Sequence, residues 1–129
     1  MSILTRMVGF VTTTAPDRAR AFYEDVLGFA FRGDDGFALS FDAHGTRLRI
    51  AKAQAFTPSP ATVLGWEVDD ITAAVTELGA RGVRFEQFNL PFLAQDALGI
   101  WTAPNGDRVA WFKDPDGNTL SLSCHTPRP

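Results

Sequence analysis

The same order of elements occurs twice along this chain, and a repeated strand, helix and three strands leaves few ways to fold. The first copy opens with Arg6 to Thr14, a run rich in Val, Phe and Thr that reads as a strand. Thr14-Ala15-Pro16-Asp17 then reads as a helix start, with Thr14 as cap, Pro16 in the first turn and Asp17 at the positive end of the dipole. Ala19, Phe22, Tyr23, Val26 and Leu27 recur at helical spacing until Gly28 stops them. Three apolar runs follow, Phe29–Arg32, Phe37–Phe41 and Thr46–Ala53, separated by the turn signals Gly33-Asp34-Asp35-Gly36 and Ala43-His44-Gly45. The second copy has a strand over Thr62–Val68, the cap pair Asp69-Asp70 and a helix over Ile71–Leu78 that Gly79 ends. Strand patterns return at Val83–Glu86, Gly99–Ala103, Arg108–Phe112 and Thr119–Ser123, with a long loop through Leu90-Pro91-Phe92 between the first two. The period is roughly 55–60 residues, although the two copies share little residue identity.

With 129 residues, the chain is long enough for one well-filled core and too short for two independent ones. We therefore expect a single domain over 1–129, built from modules 1–56 and 61–129 that are joined by the Pro-rich stretch Phe56-Thr57-Pro58-Ser59-Pro60. A 45% hydrophobic and 21% charged composition excludes disordered and fibrous classes. Twelve Lys and Arg against 15 Asp and Glu give a net charge of −3, and the arginines are scattered, so nucleic-acid binding has no electrostatic source. No apolar run approaches the roughly 20 residues that cross a bilayer, so no membrane partner is expected. The one cysteine, Cys124, has no internal partner, and Met1 to Phe10 lacks the pattern of a secretion signal, so the expected location is the cytoplasm. Eleven Phe and 3 Trp against 1 Tyr supply more apolar ring surface than such a core requires, which points to a lined cavity.

Three segments carry a family resemblance. Ala110-Trp111-Phe112-Lys113-Asp114-Pro115-Asp116-Gly117-Asn118-Thr119-Leu120 resembles the last hairpin of the glyoxalase, bleomycin-resistance and extradiol-dioxygenase superfamily, also called the vicinal oxygen chelate superfamily. Arg20 to Phe29 looks like its first helix end, and Trp66-Glu67-Val68-Asp69-Asp70-Ile71 looks like the entry to its second helix. Together, in the right order, they span nearly the whole chain. The resemblance implies an α+β fold in which two βαβββ modules form a curled, cup-shaped mixed β-sheet of about eight strands, with the site inside the cup. It also implies a homodimer.

Metal-using members of that superfamily place His, Gln or Glu at the start of each module's first strand and in each module's last strand. Matched residue by residue, those positions hold Val8, Arg49, Val63 and Ser121 here. Two hydrocarbon side chains, a guanidinium and a neutral hydroxyl make no divalent site, so neither a metal nor another cofactor is implied. Strand alternation turns Val8, Phe10, Thr12, Arg47 and Arg49 of the first module toward the cup, and Val63, Gly65, Glu67, Thr119, Ser121 and Ser123 of the second. The expected ligand contacts are Phe10, Thr12, Arg49, Glu67, Phe92, Trp101 and Ser121. Phe88, Phe92 and Trp101 belong to or border the long loop as lining or lid, whereas Phe22 and Trp66 are core residues.

Arg49 and Glu67 have three readings: a pair across the cup, an anchor for a polar ligand, or two charges reaching solvent at the rim. Glu67 is also a candidate for a general base, which would require burial to raise its pKa. His44, in a turn, and His125, in the tail, read as surface residues, and Cys124 as structural because adjacent strand residues face opposite ways. The Asp114-Pro115-Asp116-Gly117-Asn118 run lacks the ligands of a calcium loop and reads as a turn.

Three functions fit this sequence. The leading one is a metal-free protein that holds a small apolar or aromatic molecule in the cup, similar to the drug-sequestering resistance branch. The alternative is a glyoxalase-like, metal-dependent lyase or dioxygenase. A third is a regulatory module that binds a partner protein and keeps the cup as an inheritance.

Overall fold

The computed structural model describes residues 2–126. Its strands fall into two open, curled four-stranded sheets, one from each sequence module. The first module comprises β1 (Val8–Thr13), α1 (Pro16–Ala21) continued by a π-helical turn (Phe22–Val26), β2 (Ala30–Asp34), β3 (Ala38–Ala43) and β4 (Thr46–Lys52). Its strand order is β1-β4-β3-β2, with β1 parallel to β4 and the other pairs antiparallel. The second module comprises β5 (Thr62–Glu67), α2 (Ile71–Ala80), β6 (Trp101–Thr102), β7 (Arg108–Lys113) and β8 (Thr119–Cys124), in the order β5-β8-β7-β6 with β5 parallel to β8. The repeat in the sequence is thus a repeat in pairing.

Each sheet buries one face under its helix, as period-two alternation requires. In the first, Val11, Leu39, Phe41, Leu48 and Ile50 are buried with Ala19 and Tyr23 of the helical segment, and the Tyr23 and Phe41 rings lie 6.1 Å apart. In the second, Ala110, Phe112, Leu120 and Leu122 are buried with Ile71 and Val75 of α2. Full burial of each such aliphatic or aromatic side chain contributes roughly 1.5–3 kcal/mol.

Two compact units emerge. One runs to Pro58 and takes in Asp114–Asn118, the turn between β7 and β8; the other begins at Ser59 and holds the rest of the second module. That turn supplies the first unit with buried acceptors. Tyr23 Oη donates to Asp114 Oδ2 at 2.7 Å, Thr13 Oγ1 to Asp116 Oδ2 at 2.6 Å, and Asn118 Nδ2 to the Thr12 carbonyl at 3.0 Å. Burial first, and then the Asp114 carboxylate, push the Tyr23 phenol far above its ordinary pKa, so it stays a donor.

Several local expectations change. Thr14 is not the cap of α1; Ala15 is, without a side-chain bond, because Thr14 is spent on Asp116 through its N–H (2.9 Å) and hydroxyl (3.2 Å). Gly79 does not end α2, which continues to Ala80; an internal glycine costs a helix only about 1 kcal/mol, and Gly82, at φ +95°, takes the left-handed position after it. Asp70 does cap α2, accepting the Ala73 N–H at 3.0 Å. Asp34, expected in a turn, lies in β2, where a bulge between Phe31 and Gly33 absorbs Arg32. Val83–Glu86 forms no strand: Phe85 makes an isolated bridge to Phe112, and the Val83 N–H turns back to the Leu78 carbonyl.

Candidate functional site

The faces turned away from the helices carry the candidate residues. On the first sheet, Val8 pairs with Arg47 and Arg47 with Asp42; two residues on, Phe10 pairs with Arg49 and Arg49 with Ser40. Phe10 is 61% exposed. Arg49 finds its carboxylate inside its own unit: Nη2 donates to Asp35 Oδ2 at 2.7 Å and Nη1 to Ser40 Oγ at 3.1 Å. The ion pair of Arg49 is thus with Asp35, a partner the sequence reading did not name, and not the expected one with Glu67. A hollow of about 560 Å³ opens at the Val8 end, where Arg6, Arg32, Arg47 and Asp42 stand beside Met7, Val8 and Phe41, so its lining is both basic and apolar.

The Arg49 guanidinium, with the N–H groups of Phe37 and Ala38, holds the Asp35 carboxyl well below the usual carboxylate range. Lys52 and the Gly36 N–H lower Asp34 in the same way. A carboxyl lowered in the folded state favours folding above its unfolded pKa, about 3.9, and that contribution is lost as pH falls through the folded value. Thermal midpoints should therefore drop below about pH 4, and Arg49→Ala should flatten that acid arm. An unchanged arm would show that the Asp35 pair does not distinguish folded from unfolded chain.

The ring surface gathers on the second sheet. Trp111 pairs with Ser121, which pairs with Gly65; on the adjacent rung Trp101 pairs with Val109, Val109 with Ser123, and Ser123 with Glu67. All seven share one face. Trp111 takes Phe88 edge-on at a centroid distance of 5.5 Å and lies 6.2 Å from Trp101. A Cβ at Gly65 would run into Ser121 Oγ, so the missing side chain leaves that hydroxyl its space. Glu67 is exposed at the end of β5, outside the buried setting that a proton-transfer role presupposes.

The long loop is bound to itself. Gln95 accepts the Phe88 N–H at 2.9 Å and donates to the carbonyls of Glu86 and Gly99 at 2.8 Å each, while Asp96 accepts the N–H groups of Leu98 and Ile100 at 2.9 Å. Phe92 stands at its tip, 78% exposed, and Phe88 rather than Phe92 reaches Trp111. Sequence reasoning passed over Trp111 and Gln95, although alternation along β7 already placed Trp111 with Val109. It also separated His125 from any donor, whereas the structure bonds that ring to Asp107 and Ser123. His44 lies in the β3–β4 turn at φ 55°, edge-on to Phe29. Cys124 Sγ contacts the Asp69 carbonyl at 3.4 Å.

The chain belongs to the Glyoxalase/Bleomycin resistance protein/Dioxygenase superfamily, whose family model matches residues 6–122. No curated protein matches it. Among solved structures it resembles a superfamily member from Sphaerobacter thermophilus DSM 20745, with a TM-score of 0.73 and 22% identity over 95% of this chain and 98% of that one. It also resembles TnmS3, an antibiotic binding protein from Streptomyces sp. CB03234 (TM-score 0.69, 24% identity, 98% and 99% covered). A third is the lactoylglutathione lyase from Agrobacterium tumefaciens (TM-score 0.68, 21% identity, 93% and 92% covered).

The divalent metal of the family's enzymes does not fit the residues present. Val8 and Val63 bring no donor atom, Arg49 is a cation already committed to Asp35 and Ser40, and Ser121 offers one neutral hydroxyl. Among the described residues, no three His, Cys, Asp or Glu side chains gather as a metal site requires. No described helix is long and apolar enough to cross a membrane.

Proposed function

We propose that this chain is a metal-independent binding protein whose second sheet holds a small aromatic or apolar molecule against Trp111. The observation that carries the reading is the ring group itself: two tryptophans and Phe88 on one sheet face, with the Ser121 hydroxyl and the Glu67 carboxylate on neighbouring strands. Flat rings give area and stacking, and a few polar groups fix orientation. The donor chemistry at the family's ligand positions supports the same reading, as does the likeness to an antibiotic binding protein. We further place the protein in the cytoplasm as a homodimer, with exposed Val8 and Phe10 as candidate contact residues.

The test is a titration with the aromatic probe 1-anilinonaphthalene-8-sulfonate before and after exposure to divalent manganese, iron, cobalt, nickel or zinc, with and without chelator. Saturable binding with the same Kd in every arm is the expected result. A stoichiometric metal that survives washing, together with binding that the chelator abolishes, would replace this reading by the lyase or dioxygenase one.

A further inference from the structure

Starting from Ser123 on the aromatic face, three side chains of the second module, two of them only two residues apart, form a continuous hydrogen-bonded line. Ser123, on the open face of β8, lies 2.9 Å from His125 Nε2 through its Oγ. The other ring nitrogen, Nδ1, lies 3.0 Å from Asp107 Oδ2, in the turn before β7. Serine hydroxyl, imidazole and carboxylate in that order, joined through opposite ring nitrogens, are the parts of a nucleophile, its base and the group that orients the base.

The surroundings fix the roles. Asp107 is 8% exposed and is held as an acceptor: Oδ1 takes the Thr126 N–H at 2.8 Å and the Thr126 hydroxyl at 3.1 Å, and Oδ2 also takes Asn105 Nδ2 at 3.2 Å. The Thr126 N–H first, and then His125, keep its carboxyl well below the usual range. An ionised carboxylate at Nδ1 requires the proton there, and in the neutral ring that tautomer turns the Nε2 lone pair to Ser123 Oγ. The tail is seated tightly, since a Cβ at Gly106 would meet Thr126 Cγ2 at 2.9 Å. Of the neighbouring charges, Glu67 is the strand partner of Ser123, and Arg108 turns away to Thr72 Oγ1 at 3.3 Å.

We propose that Ser123 and His125, oriented by Asp107, form an acyl-transfer site that accepts the acyl group of an aryl ester. Ser123 Oγ attacks the ester carbonyl as its proton passes to His125 Nε2; the new Oγ–C bond forms, the C–O bond to the aryl group breaks, and the phenol leaves with that proton. Water then attacks the acyl-serine, gives a proton to Nε2, and releases the carboxylic acid as Ser123 recovers its hydrogen. The sum is ester plus water giving acid plus phenol. The relay stands on its own hydrogen bonds, whereas the aryl leaving group rests on the binding reading above. Trp101 occupies the rung of Ser123, two strands away, or about 10 Å, a span a bound aryl ester can bridge.

The experiment treats the full chain with p-nitrophenyl acetate, follows nitrophenol release and locates the acetyl group by peptide mass spectrometry. The expected adduct is on Ser123. Ser123→Ala and His125→Gln should each slow acylation at least about 100-fold while the circular dichroism spectrum is kept, and Cys124→Ser should leave it as it was. Imidazole nitrogen-15 spectra should show His125 protonated on Nδ1, a state lost in Asp107→Asn. Acetyl found only on Cys124 or on amines, or a Ser123 adduct that forms as fast in His125→Gln, overturns the proposal. Failure of acylation with probe binding intact would remove the relay alone. Acylation whose KM is unchanged in Trp101→Ala would keep the relay and remove the aryl assignment.

Discussion

Asp114→Ala should destabilise the protein by about 3–5 kcal/mol, the largest stability effect expected of any single change here. Asp114 is 5% exposed, and both of its oxygens are fully used. Oδ2 accepts Tyr23 Oη at 2.7 Å and Asn118 Nδ2 at 2.8 Å; Oδ1 accepts the N–H groups of Asp116 and Asn118 at 2.9 Å each. Tyr23 is completely buried, so without its acceptor the phenol hydroxyl has no exposed position from which to reach water. Against a total stability of about 5–15 kcal/mol, this loss should lower the thermal midpoint by at least about 10 °C. Tyr23→Phe removes one bond and its donor together, so it should cost only about 1.5–3 kcal/mol. Urea unfolding followed by circular dichroism compares the two. Equal effects would mean that Asp114 acts through Tyr23 alone and that the turn needs no carboxylate.

Trp111→Ala should weaken binding of the anilinonaphthalene probe by about 30-fold or more, in the range of a buried aromatic anchor. Trp111 is the ring that both other aromatics contact, with Phe88 at 5.5 Å and Trp101 at 6.2 Å, so its loss removes the floor and loosens both sides. Phe92→Ala, at an exposed loop tip, should change affinity less than about threefold. Calorimetric titration reads both without depending on tryptophan emission. If the Trp111 and Phe92 variants bind alike, the ligand sits elsewhere.

The repeat made the fold readable. Strand-helix-strand order, the Asp70 cap and the alternation of Leu120 and Leu122 with Ser121 and Ser123 depend on neighbours within a few residues, and such local signals survive in a single sequence. What escaped was set by distant partners. Thr14 had the right chemistry for a cap, but Asp116, about a hundred positions later, competes for it. The Val83–Glu86 pattern has strand propensity but only a one-residue bridge, so tertiary context overrides it. The candidate faces were legible because alternation assigns them, whereas Gln95 as the loop's fastening and His125 as part of a bonded line depend on side chains meeting across turns. No spacing rule joins Asp107 to His125.

The turn Asp114–Asn118 has a consequence for any attempt to halve the protein. A fragment that stops at Pro58 contains one whole βαβββ repeat, yet it lacks Asp114, Asp116 and Asn118, which its own interior uses as acceptors and donor. Tyr23 Oη, Thr13 Oγ1 and the Thr12 carbonyl would each be left without the group that answers them. The repeat written in the sequence is therefore not a self-sufficient structural unit. The first repeat draws on a piece of the second for its interior bonds, and that dependence ties the two repeats to one chain.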